Sequence, residues 1–185
     1  MNTTRDTLSN ISNWATEAGA THARVLENTK FIARADVLAC CAANACGKYG
    51  RCWTCPPRIG TLEELAGQLG EFSAGVLVQN ISALEDSWDF EGMTSAMKLH
   101  NDMMRNLKDR IQAEFPDAEF LVLGCGGCGY CEKCSCPDAP CIFPEQAIAS
   151  VEGFGMDARA LVQSCGLSYI NGQNTVSYVG LALIR

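Results

Sequence analysis

The chain has 185 residues, 48% of them hydrophobic, a formal net charge of −7 and twelve cysteines. That length buries a real core without disulfides to hold it. No basic stripe is present to neutralise phosphates, which disfavours a nucleic-acid partner, and no apolar run approaches the ~20 residues of a membrane span.

The N-terminus, MNTTRDTLSNISNW, lacks the basic start and apolar stretch of a secretion signal. A soluble, cytoplasmic protein is therefore expected, and in a reducing compartment dense cysteine reads as metal binding or catalysis rather than cross-linking.

Taken in chain order, Leu8, Ile11 and Trp14 recur at helical spacing, predicting an amphipathic helix over about residues 5–18 that ends near Gly19. Ala23 to Ala33 reads as extended chain leading into a first cysteine loop. Pro56-Pro57 enforces an extended segment, and Thr61 with Glu64 three residues on is a capping box that opens a short helix to about Gly70. Ser73 to Ile81 is an apolar run suited to a buried strand.

Met93, Met97, His100, Met104, Leu107, Ile111 and Phe115 then step by three or four along one face, predicting a long helix from Asp89 to Phe115, stopped by Pro116. On that face His100 reads as a core histidine and the methionines as core fillers, while His22, near a strand start, reads as solvated. Glu119 to Gly124 forms the next strand, Asp157 to Cys165 a helix closed by Gly166, and Thr175 to Ile184 a nearly all-apolar strand with an interior place in the sheet. The alternation predicts an α/β or α+β fold: a single layered domain over 1–185, with a mixed sheet, flanking helices and cysteine-rich loops, 40–58 and 124–144, at one edge.

Eleven of the twelve cysteines fall in two short runs. Disulfides in small secreted scaffolds spread out to staple distant loops, whereas one ion or cluster gathers several thiolates locally. In the second run, Cys128, Cys131 and Cys134 repeat every third residue, the rhythm by which ferredoxin-type loops wrap a 4Fe-4S cube; Cys141 after Pro140 is the fourth ligand, with Cys125 and Cys136 competing. Glycines at 124, 126, 127 and 129 let backbone approach a cluster. Zinc is the alternative, yet tetrahedral zinc favours two separated Cys-x2-Cys knuckles.

In the first run Cys41, Cys46 and Cys55 are the ligand candidates, with Cys52 as a possible fourth. Adjacent Cys40 and Cys41 point apart, so one of them is spare, and Pro after Cys55 suits a cluster loop. Tyr49 and Trp53 pack as core or shield a cluster from water. Lys48, Arg51 and Arg58 offset thiolate charge or receive an anionic substrate or partner. Cys165, alone on its helix, reads as a small buried hydrophobe.

The pattern Cys46-Gly-Lys-Tyr49-Gly50-Arg-Cys-Trp-Thr-Cys55-Pro56-Pro57, then Cys128-x2-Cys131-x2-Cys134-x6-Cys141-Ile-Phe-Pro144, Ala158 to Gly166 and a closing Asn174-Thr-Val-Ser-Tyr178 resembles the cysteine-rich predicted metal-binding proteins of anaerobic bacteria and archaea. The likeness covers nearly the whole chain and implies metal binding. It implies a first set of Cys41 (or Cys40), Cys46 and Cys55 and a second of Cys128, Cys131, Cys134 and Cys141. Against that pattern Cys52, Cys125, Cys136, Cys165 and one of the Cys40/Cys41 pair are additions.

Two 4Fe-4S clusters passing single electrons to or from a redox partner enzyme are the leading expectation, since no nicotinamide or flavin fingerprint is present. An enzyme with one open iron, acting as Lewis acid or sulfur acceptor, and a zinc-stapled binding module are the alternatives.

Overall fold

The computed structural model describes residues 4–185. Five strands form one sheet in the order β1-β2-β5-β3-β4: β1 His22–Leu26, β2 Ala74–Ala83, β3 Phe120–Gly124, β4 Ala149–Ser150 and β5 Thr175–Ile184. All pairings are antiparallel except β3 with β4, so the fold is mixed α/β, as the alternation of patterns predicts.

β5 lies at the centre, hydrogen-bonded to β2 along its whole length and to β3 over its second half. Both faces of its C-terminal half are covered, which is why its sequence there reads as a continuous apolar run. Ala182 and Ile184 join Val76, Val78 and Val122 in one core, beneath α1 Thr4–Glu17 and α4 Phe90–Glu114. Leu181 and Leu183 point the other way, with Leu77 and Leu123, into a second core closed by α3 Leu62–Leu69 and α5 Ala158–Ser164. Strand side chains alternate faces, so each of these strands feeds both cores.

The helix boundaries follow the expected chemistry. The Thr61 hydroxyl accepts from Glu64 N–H at 3.3 Å while the Glu64 carboxylate accepts from Thr61 N–H at 2.7 Å, the reciprocal capping box. Asp89 caps α4 by accepting from Gly92 N–H at 2.7 Å, and Asp157 caps α5 by accepting from Ala160 N–H at 3.0 Å.

Two expectations need correction. The segment holding Cys40 and Cys41 is not loop: Ala35–Ala42 is a two-turn helix, α2, on which neighbouring side chains are about 100° apart. After Asp36 its residues are all apolar or cysteine, with no alternation of polar and apolar positions to mark a helix. Within the stretch read as extended chain, the strand itself is β1, His22–Leu26. Cys165 is half-buried at the margin of the second core rather than fully enclosed.

Candidate metal centre

Every cysteine is free, and the fold draws the two runs together. The loop after α2 and the loop after β3 touch directly: Trp53 Nε1 donates to the Ala139 carbonyl at 3.0 Å, and the Cys136 thiol lies 3.6 Å from the Gly50 carbonyl. Thiols far apart in sequence thereby line two neighbouring cavities.

The first cavity, about 740 Å³, has Cys40 and Cys41 from α2, Cys46 and Cys55 from the following loop, and Cys125 from the end of β3 in its wall. Cys41 is half-buried with its thiol 3.9 Å from the Glu152 carbonyl, while Cys40 and Cys46 are exposed. Burial pushes the Cys41 and Cys125 thiols up, with neighbouring negative groups adding to the effect. Burial likewise raises the Glu152 carboxyl that lines the same cavity.

The second is a narrow hollow of about 40 Å³ lined by Cys52, Cys128, Cys131, Cys134 and Cys141. No carboxylate lines it, and Lys48 stands in its wall. Such a donor set fits a thiolate-ligated metal group, which would be held by sulfur alone with positive charge alongside. Among the described residues, no three His, Cys, Asp or Glu side chains converge on a single-ion position; the thiols stand around a hollow.

The structure therefore places the candidate ligands unevenly. Cys41, Cys46 and Cys55 share the first cavity and Cys128, Cys131, Cys134 and Cys141 the second, while Cys52 lines the second although it belongs to the first run. Of the reserves, Cys40 and Cys125 face the first cavity, and Cys136 is buried outside both linings. Next to Cys55 the Cys52 thiol is held below its ordinary range by a hydrogen bond from Cys55, and the Cys55 thiol is driven up by the same interaction and by burial.

Helix α4 supports the cysteine loop with three polar or soft side chains one turn apart. Met97 packs on Gly126, where a Cβ would lie 2.8 Å from its sulfur. Asn101 brackets the Cys125 backbone, donating to its carbonyl and accepting from its N–H, both at 3.0 Å. Arg105, 4% exposed, donates to the Cys128 carbonyl, sits 3.7 Å from the Cys128 sulfur, reaches the Gln146 carbonyl at 2.9 Å and pairs with Asp102 at 2.9 Å. Its guanidinium also lies 5.2 Å from the Tyr130 ring centroid.

Asn101 and Arg105 escape a reading that follows apolar spacing alone. The available signal was their four-residue step beside the apolar face, where polar residues become buried if a loop lies on the helix. Gly124 and Gly126 are explained by the same helix: a Cβ on Gly124 would stand 2.2 Å from Asn101 Oδ1.

Residues 5–184 match the family described as predicted metal-binding protein (DUF2284). The chain belongs to that family. Neither a curated protein nor a solved structure matches it. The family description goes no further than metal binding, and the five thiols around the second hollow are donors of a kind that bind metals. No helix among the described residues is long and apolar enough to cross a membrane.

Proposed function

We propose that this protein carries two 4Fe-4S clusters, one held by Cys41, Cys46 and Cys55 and one by Cys128, Cys131, Cys134 and Cys141, and passes single electrons to or from a partner enzyme. The observation that carries the reading is the sorting of thiols from two distant runs into two adjoining cavities. A bound cube supplies reversible one-electron chemistry, and burial and hydrogen bonds to sulfur set its potential. The chain's own part is to hold the thiolates, exclude water and offset charge. Arg105 and Lys48 place positive charge at the second hollow, which stabilises thiolate ligands and a more negative, reduced centre.

Anaerobic purification followed by iron and sulfide counts tests this. The expected result is brown protein with about eight of each per chain and a broad band near ~400 nm that dithionite bleaches. Colourless protein containing zinc would overturn it.

The size of the first cavity favours a second reading, an enzyme in which the iron there keeps one position open. A space of about 740 Å³ is in the range of small-molecule pockets, and Lys48, Glu152, Tyr49 and Tyr178 stand in its wall as binding or proton-carrying groups. If Cys41, Cys46 and Cys55 alone hold the group, an iron without a protein thiolate would supply Lewis-acid or sulfur-accepting chemistry at this cavity. A small donor such as cyanide, added anaerobically, should then shift the spectrum of the first cluster alone; an unchanged spectrum counts against this reading and leaves the electron-transfer role standing.

A further inference from the structure

Strand β3 is paired along the whole of one edge but only part of the other. Arg185 N–H donates to the Glu119 carbonyl at 3.0 Å, which fixes the alternation along the antiparallel pair with β5. Leu121 and Leu123 therefore exchange backbone bonds with Leu183 and Leu181, while Phe120, Val122 and Gly124 turn theirs to the opposite edge. There β4 serves only the end of the strand, pairing Ala149 with Leu123 and Ser150 with Gly124. The chain before Ala149 does not continue the pairing. A 3-10 turn at Pro144–Gln146 draws the Ala147 N–H back onto the Pro144 carbonyl at 3.2 Å, and among the described residues no backbone group outside the strands bonds to Phe120 or Val122.

A groove of about 350 Å³ lies along this open edge, lined by Trp53, Arg58 and Ile59 from the loop before α3 and by Lys108 from α4. No carboxylate lines it, although the chain as a whole carries a net charge of −7. Arg58 lies over the Trp53 ring and Lys108 donates to the Glu145 carbonyl, so neither cation is in an ion pair among the described residues. Trp53, Thr54 and Ala147 line the second hollow as well, so the groove and that hollow share a wall.

We propose that the open edge of β3 takes an extended, acidic segment of a partner protein, which pairs with Phe120 and Val122 as an added strand and sets its carboxylates against Arg58 and Lys108. Main-chain hydrogen bonds supply the affinity of such a strand, and the two cations select its sign of charge. An edge left open otherwise invites pairing with any extended chain, so the charge requirement narrows the choice. The inference rests on the electron-transfer reading only in making that protein the redox partner, which docking here brings against the wall of the second hollow.

The test uses the full chain, purified anaerobically, and three capped peptides: one of valine and threonine with glutamates at both ends, its lysine counterpart, and the glutamate peptide N-methylated at its central residues. The glutamate peptide should bind and slow amide hydrogen exchange at Phe120 and Val122, with Leu121 and Leu123, whose N–H groups β5 already holds, unchanged. The lysine and N-methylated peptides should not bind. Arg58→Glu combined with Lys108→Glu should weaken the glutamate peptide by about tenfold or more and admit the lysine one. Equal binding of the N-methylated peptide would refute strand pairing, and equal binding of both charges would refute the acidic preference. Protection at β1, the other edge of the sheet, or no binding of the glutamate peptide at about 1 mM, overturns the proposal. Iron and sulfide counts on the same sample judge the cluster reading separately: zinc in their place removes the redox role and leaves the strand pairing to stand or fall on the exchange data.

Discussion

Asn101 and Cys125 form a two-way amide pair inside the protein: Asn101 Nδ2 donates to the Cys125 carbonyl and Asn101 Oδ1 accepts from the Cys125 N–H, each at 3.0 Å. The pair stands where β3 ends and the second cysteine run begins, so a helix side chain takes over the backbone pairing that the sheet no longer supplies. Thus α4 does more than cover the sheet. It fixes the direction in which the loop leaves it.

Asn101→Leu keeps side-chain volume but strips Cys125 of both partners. Each buried group left unpaired costs about 1–3 kcal/mol, so a loss of about 3 kcal/mol is expected in urea unfolding of the metal-free chain. A loss under about 1 kcal/mol would mean that water reaches Cys125.

Gly124→Ala should destabilise by about 1–3 kcal/mol, because the new methyl would meet Asn101 Oδ1 at 2.2 Å and Ile148 Cδ1 at 2.9 Å. Asn101 cannot swing aside without giving up Cys125. The double variant Gly124→Ala with Asn101→Ala should therefore cost less than the two singles added, and simple additivity in a double-mutant cycle would contradict that coupling.

Arg105→Met removes the guanidinium that reaches Cys128, Asp102 and Gln146. Groups that orient ligands usually carry about 10–100-fold in metal affinity. Competition with a chelator should show that loss at the proposed Cys128–Cys141 site with the other proposed site unaffected, and Arg105→Lys should recover only part of it, since an ammonium lacks the planar fork. Equal loss at both sites would point to general unfolding.

His100 gives the fold a defined response to acid. It is 1% exposed on α4, its Nδ1 is 2.8 Å from Asn80 Oδ1, and its Nε2 makes no well-formed hydrogen bond among the described residues. Burial depresses it from 6.5 to about 4. The unfolded chain therefore takes up a proton near pH 6.5 that the folded chain refuses until about pH 4. Stability from this group is complete above pH 6.5, falls as the pH drops, and levels off below about 4 after a loss of up to about 3 kcal/mol. His100→Asn should flatten the unfolding free energy across that window relative to wild type; parallel curves would show that His100 is already protonated in the native state.

Much of this protein can be read without its structure, because the signals concerned are local. Thr61 and Glu64 announce a helix start, the step of three to four from Met93 to Phe115 announces a helix, and the unbroken apolar stretch of β5 announces a strand covered on both sides. The crowding of cysteines likewise announces metal, in agreement with the family to which the chain belongs. What sequence distance conceals is partnership. Cys52 sits three residues from Cys55 yet lines the hollow of Cys128 and Cys141, and Asn101 and Arg105 look like surface residues until a loop more than twenty positions away lies over them. Those contacts depend on how β3 and α4 pack together, a many-body consequence of burying two cores on one sheet, and spacing along a chain carries no record of which loop will fall across which helix face.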